Sequence, residues 1–412
     1  MLGYWAYNVQ PLFKNKSVKK VFEVFQVGVL ATSSFITSIT VLLIIFFLFK
    51  EGVNTFRKSL LEDGYVLSVS KSNPVSEISP LDIKDIFDQK ITNWKQVGGN
   101  DDSIQLFSVD DLPKYYTEAQ IGTELEYIGT CLNNYVATHP RALAYFPQKK
   151  HLENFAGKLI KVGSVGVYEF IKGKEWLPTA KPVAQLGILP LLLGTLWVSL
   201  GAILLALPFG LATAIFMAEI AHPTARKVLR PVIELLAGIP SVVYGFFGLI
   251  VIVPFVQSVF RLDVGETALS GSIILAIMAL PTIISIAEDA IRNVPKNMRE
   301  ASLAMGATQW QTIQKVVMPY ARSGIMTAVV LGIGRAVGET MAVLMVTGNA
   351  ANMPHTFLQP VRTIPATIAA ELGEASNGGL HYSALFALGC ILFLLTMALN
   401  LYVQLRLKKA YK

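Results

Sequence analysis

The chain has 412 residues, 53% of them hydrophobic and 15% charged, with a mean hydropathy of +0.50; this excludes an ordinary soluble globular domain and implies an integral membrane protein. Its formal net charge is +7, but the basic residues form short groups at the ends of apolar segments, so the charge reads as a topological signal and not as a nucleic-acid surface. Cys131 and Cys390 fall in a polar stretch and an apolar one, so no internal disulfide is expected and neither has metal-ligand company.

In chain order, six segments carry the run of about 20 apolar residues that crosses a bilayer: roughly 22–49, 189–218, 229–258, 267–288, 324–346 and 381–406. The first follows Lys14, Lys16, Lys19 and Lys20. It is too long for a signal-peptide core and lacks a small-residue cleavage site, so it reads as a retained anchor. An even number of spans puts both termini on one side. The N-terminal lysines fall there, with Arg226, Lys227 and Arg230, then Arg292, Lys296, Arg299, Lys315 and Arg322, then Arg406, Lys408, Lys409 and Lys412. The short opposite loops hold Arg261 and Arg362, and the positive-inside rule makes the basic side cytoplasmic.

Residues 51–183 are polar and mixed, long enough to fold alone, and lie on the outer side. Ser79-Pro80 with Asp82 predicts an N-cap and first turn for a helix through Phe87. "SIQLFSV" and "RALAYF" predict strands around a longer helix from Thr117 to Thr138, an α/β pattern. The expected architecture is an all-α polytopic membrane protein of six transmembrane helices with a small α/β extracytoplasmic insert. Residues 1–50 would supply the cytoplasmic N-terminus and first span, 51–183 the insert, and 184–412 the membrane core.

Between the fourth and fifth spans runs "REASLAMGATQWQTIQKVVMP", from Arg299 to Pro319. Glu300 to Gly306 favours helix, Gly306-Ala307-Thr308 offers a break and a new N-cap, and Gln309 to Val317 predicts a second helix closed by Pro319. Leu303, Ile313, Val316 and Val317 give apolar faces too short to span. They either rest on lipid headgroups or pack on the chain's own base or a cytoplasmic partner.

Arg335 and Glu339 fall near the middle of the fifth span, where each charge costs roughly 2.5–3.5 kcal/mol and needs compensation. Four residues apart, they would share a helix face, and Gly332, Gly334 and Gly338 would let another helix or a ligand approach closely. Two readings stay open: an ion pair that orients helices, or an arginine that meets a ligand in transit. Glu234, near the inner end of the third span with Gly238 and Pro240 behind it, either lines a kinked pore helix or pairs with Arg230 at i and i+4. Glu219, Glu288 and Asp289 are expected to be solvated at helix ends, and Pro208, Pro240 and Pro281 to set kinks. His222, His355 and His381 lack companions at ligand spacing, so neither a metal site nor a cofactor is expected, and no catalytic constellation stands out.

Glu300-Ala301, Gly306 five residues beyond Ala301, and the closing Val317-Met318-Pro319 resemble the EAA loop of ABC-importer permeases, with Ser302 where a second alanine is usual. That resemblance implies that Glu300, Ala301 and Gly306 couple the chain to a separate ATP-binding subunit. In keeping with this, no G-x-x-x-x-G-K-[ST] phosphate loop occurs in the chain. "LLLGTLWVSLGAILLALPFGLATAIFMAE", "IELLAGIPSVVYGFFGL", "GIGRAVGETMAVLMVTGN" and "PVRTIPATIAAELGEA" are similar to phosphate-importer permeases of the PstC family, and with neighbouring stretches the similarity covers nearly all of 186–400.

The family implies a type I ABC importer permease fold in the bacterial inner membrane. It further implies inward movement of inorganic phosphate, a second PstA-like permease subunit, two PstB-like ATPase subunits and a PstS-like binding protein. On that reading Arg335 grips the oxyanion with paired charge-assisted hydrogen bonds, while Glu339 holds Arg335 and keeps affinity low enough for release. Sulfate, molybdate or phosphonate permeases share the oxyanion geometry, and a phosphate-sensing receptor or scaffold is the alternative from another class. An ion-coupled carrier would show an inverted internal repeat, and none is found.

"ISPLDIKDIFDQKITNWKQVGGNDDSIQLFSV" and "THPRALAYFP" resemble stretches of periplasmic phosphate-binding proteins. Where that family places an Arg and then Ser-Gly-Thr to hold the anion at a helix N-terminus, this chain reads "SVDDLPKYYTEAQIG". Asp110 and Asp111 would repel phosphate, so the insert is expected to be a lobe-like remnant that docks the binding protein or props up the pore mouth.

Overall fold

The computed structural model describes residues 16–62, 64–122, 126–150 and 154–409. Lys14 and Lys412, counted above as topological charges, lie outside the described residues. The chain divides into two units between Glu51 and Gly52. The first is a single helix, α1 (Lys16–Asn54), which continues past that division. From Val24 to Phe49 its residues are uncharged on every face and, Gln26 apart, apolar or small, as lipid requires of a helix that satisfies its own backbone.

In the second unit the polar stretch folds around a sheet of β1 (Tyr65–Ser70), β2 (Glu77–Ile78), β3 (Gln105–Ser108), β4 (Ala142–Pro147) and β5 (Gly157–Val162), in the order β2-β5-β1-β4-β3. β1 runs antiparallel to both β4 and β5, while β3–β4 and β2–β5 are parallel. The centre of the sheet is covered on both faces, so Leu67, Ser68 and Val69 are all buried, as are Ala142 to Phe146; this is why "RALAYF" is continuously apolar instead of alternating. Helix α2 (Pro80–Phe87) starts as expected, with Ser79 Oγ accepting from the Asp82 N–H at 3.1 Å. The expected helix from Thr117 to Thr138 is corrected. It is a turn at Glu118–Ile121, then Gly122 at φ +84, then α3 (Ile128–Thr138), with 123–125 outside the described residues. Helix α4 (Val167–Lys172) and a short hairpin of β6 (Trp176–Leu177) and β7 (Gln185–Leu186) lead into the membrane core.

That core contains α5 (Leu189–Ile220), α6 (Pro223–Gly238), α7 (Ser241–Phe260), α8 (Ala268–Arg292), α9 (Lys296–Ala304), α10 (Gln309–Gly338), α11 (Met341–Val346), α12 (Ile364–Glu371) and α13 (Leu380–Lys409). Six described helices are long and apolar enough to cross a membrane. α8 is the most buried span and packs against α5 and α10. Insert and core share one apolar cluster, in which Ile83, Trp94, Trp176 and Leu186 join Leu191, Ile364, Leu385 and Leu388.

Two expected spans are redrawn. The third begins at Ser241, because Ile239 is extended at φ −68, ψ 128 ahead of Pro240, as the steric demand of proline on its predecessor dictates. Pro240 therefore breaks the chain instead of kinking a helix, and α6 stands apart as an amphipathic helix. The fifth span starts early and stops early. Pro319 does not close the preceding helix: a wide turn at Ile313–Val317 leads into Met318-Pro319, and the helix runs on to Gly338. Proline lacks an N–H and its ring crowds the carbonyl four residues back, and a widened turn relieves both problems. At the far end, glycines 332, 334 and 338 weaken the helix, and Glu339 adopts ψ 134.

Candidate translocation site and coupling loop

Glu339 lies beyond the end of α10, so it does not share a helix face with Arg335. Among the described residues no carboxylate lies within ion-pairing distance of Arg335; its Nη1 donates to Thr282 Oγ1 on α8 at 3.1 Å. Of the two readings left open for Arg335 and Glu339, the self-neutralising pair is thus absent. Glu339 Oε1 faces the start of α11, 3.4 Å from the Ala342 N–H, and borders a narrow cleft with Thr195, Ser199 and Thr363. Beyond the helix break an open cavity of 510 Å³ is lined by Gly338, Thr340, Pro365, Ile368 and Leu392. A guanidinium in the last turn of α10, a broken helix and an open cavity form the kind of arrangement in which irregular backbone is tolerated at membrane depth.

Glu234 sits on α6, exposed, and accepts from Arg230 Nε at 3.1 Å. Of its two readings, the structure shows the i, i+4 partnership. Glu219 and Glu288 correct the expectation of solvated helix ends. Glu219 is nearly buried against Arg299 at 2.7 Å, and Glu288 is 2% exposed between Arg226 at 3.7 Å and Arg292 at 3.6 Å. Asp289 does remain exposed.

The loop of α9 and the start of α10 is a helix, turn, helix. Gly306 supplies the turn with φ +84, which a side chain would strain. Thr308 caps the second arm in a reciprocal box with Gln311. Ser302 and Thr312 hydroxyls meet at 2.9 Å and tie the arms together. Glu300, Ala301 and Gly306 are exposed beside Met305, 88% exposed, and Trp310, so the turn presents an apolar tip with one carboxylate near it.

One cluster escaped sequence reasoning. Glu371, at the end of α12, accepts from Arg362 Nη1 at 2.6 Å, from Trp176 Nε1 at 3.0 Å, and faces His381 Nε2 at 2.9 Å. Burial pushes this carboxyl up, but hydrogen bonds from His381 and Trp176 and the charge of Arg362 outweigh it and hold the group below the usual carboxylate range. Arg362 had looked like a topological charge and His381 like a lone histidine; 195 residues separate Trp176 from Glu371, a distance that no local pattern bridges.

On the insert, the turn after β3 is filled by the chain itself. Ser108 N–H and Oγ both donate to Asp111 Oδ2, at 3.0 and 2.9 Å, and Lys114 pairs with Oδ1 at 2.7 Å. The Lys114 hydrogen bond leads in holding this carboxyl below its ordinary range. Among the described residues no group of three or more His, Cys, Asp or Glu could hold a metal ion.

Residues 206–409 match the family model of the binding-protein-dependent transport system inner membrane component, and residues 48–194 match a PBP superfamily domain. The probable ABC transporter permease protein YqgH of Bacillus subtilis is 42% identical over 263 residues, covering 64% of this chain and 83% of that protein. The chain belongs to the binding-protein-dependent ABC transporter permeases. The phosphate transport system permease protein PstC of Mesorhizobium japonicum is 38% identical over 275 residues, covering 61% of this chain and 83% of its own length. A solved chain of the inward-facing MetNI methionine ABC transporter aligns at 19% identity and a TM-score of 0.43, covering 53% of this chain and 93% of that one. As a permease of this family the chain is a multi-pass inner-membrane subunit and not an enzyme. Its working partners are an extracytoplasmic binding protein and an ATPase.

Proposed function

We propose that this permease carries inorganic phosphate inward across the cytoplasmic membrane by alternating access, powered by ATP hydrolysis on another subunit. The observation that carries the reading is Arg335, a guanidinium in the last turn of α10 beside the helix break, whose neighbour is the neutral Thr282 hydroxyl and not a carboxylate. One hydroxyl leaves most of the guanidinium's donors unmatched, whereas a tetrahedral oxyanion would satisfy its fork. The relatives named as phosphate transport permeases supply the name of the anion.

On this reading Arg335 and Glu339 line the path, and Glu234, tied to Arg230, shapes its inner mouth. Glu300, Ala301 and Gly306 engage the ATPase. The pore is completed by a PstA-like permease, driven by two PstB-like ATPase subunits and loaded by a PstS-like binding protein. Both termini lie in the cytoplasm, on the strength of the basic loops. Residues 51–183 form an insert on a core of 184–412 and dock the binding protein without holding the anion, because Asp111 already occupies the Ser108 donors.

The test is uptake of radiolabelled phosphate by proteoliposomes containing the complete assembly. It should require ATP, be blocked by vanadate, and resist competition from sulfate and molybdate. Uptake that ignores ATP, or that sulfate abolishes, overturns the proposal.

A further inference from the structure

Arg299 immediately precedes Glu300 at the inner-face turn, but its side chain is largely buried while Glu300 is exposed. Its guanidinium makes a fourfold set of bonds. Nε and Nη2 both donate to Glu219 Oε1, at 3.0 and 2.7 Å, Nη2 also donates to the Ile291 carbonyl at 2.8 Å, and Nη1 to the Val294 carbonyl. Ile291 is in the last turn of α8 and Val294 just past its end, where orphan carbonyls and the helix dipole favour a cation. Glu219 lies in the final turn of α5. The second arm of the loop grips the same residue: Gln309 Nε2 donates to the Glu219 carbonyl at 3.0 Å. The inner ends of α5 and α8 therefore meet the loop at one buried point, held by α9 through Arg299 and by α10 through Gln309.

We propose that Arg299 and Glu219 form a positioning clamp that transmits displacement of the coupling loop to α5 and α8, so that hydrolysis on the ATPase becomes movement of the spans. The inference rests on the importer reading given above. Arginine is required because its planar fork spans a carboxylate and two helix-end carbonyls at once; a lysine ammonium at the same place keeps the charge but cannot hold all three in fixed geometry.

The complete assembly in proteoliposomes, with ATP hydrolysis and labelled phosphate uptake measured on the same vesicles, tests it. Arg299→Lys is expected to leave hydrolysis within about twofold of wild type and lower uptake per ATP about tenfold, the size of a typical coupling free energy between sites. Glu219→Gln should move the ratio in the same direction, and it provides the readout if Arg299→Lys does not assemble. An unchanged ratio in the variants, whether both rates hold or both fall in proportion, overturns the clamp. Absence of ATP-dependent uptake in the wild type would sink the importer reading and this inference together, so the two failures are distinguishable.

Discussion

Arg299 and Arg335 are held in opposite ways. Arg299 is saturated with a carboxylate, two helix-end carbonyls and a buried setting; Arg335, in the last turn of α10, touches one neutral hydroxyl beside a broken helix and a cavity. A saturated guanidinium fixes geometry and has nothing left for a ligand. An undersatisfied one, half-buried as Arg335 is, keeps donors free for an anion. On the readings proposed above, the contrast separates the part of the chain that transmits force from the part that meets the cargo.

The sharpest way to break that contrast is Arg335→Gln, which is expected to lower uptake about a hundredfold with insertion and assembly intact, since it removes a charged partner from a desolvated contact. Wild-type uptake in that variant would return Arg335 to a structural role. A smaller effect is expected at the outer cluster. Glu371→Gln strands Arg362 opposite a neutral group and should destabilise the purified protein by about 3 kcal/mol, read as a lower thermal midpoint in detergent. The pH dependence has a definite sign. Glu371 titrates below its ordinary 4.5 when folded, so its contribution is complete above that pH and disappears as pH falls through the lower folded value. A midpoint that drops between pH 7 and 5 would have to come from other groups.

Gly306→Ala forces a side chain into φ +84 and should cost the loop about 1 kcal/mol, seen as a several-fold weaker hold on the ATPase in co-purification with little change in the thermal midpoint. The smallest change is expected from Glu234→Gln. An exposed i, i+4 pair is worth about 0.5 kcal/mol or less, so stability should barely move; a severe loss of uptake would promote Glu234 from the rim of the path to its interior.

Much of the membrane architecture was legible because bilayer thickness acts on sequence locally: a run of apolar residues and the basic groups at its ends are enough to place four of the six spans closely. The failures share a cause. Ile239-Pro240 and Gly338-Glu339 lie inside runs apolar enough on average to read as one span, so hydropathy passed over both breaks although proline and the clustered glycines were visible. Pro319 misled in the other direction, because a wide turn upstream let the helix continue. Glu219, Glu288 and Glu371 owe their burial to partners on other elements, Arg299, Arg226 and Trp176 among them, and no spacing rule reaches that far. Ser302 in place of the usual alanine became intelligible once Thr312 stood opposite it at 2.9 Å.

The uninterrupted run of α10 through Pro319 has a consequence for amplitude. Gln309, beside the exposed turn, and Arg335 belong to a single rod, and at 1.5 Å per residue they are about 39 Å apart. Pivoting such a rod by about 5° at its inner end sweeps the guanidinium sideways by roughly 3 Å, about the length of one hydrogen bond. On the proposed reading, a slight tilt at the Gln309 end is therefore enough to make or break the grip on a passing ion.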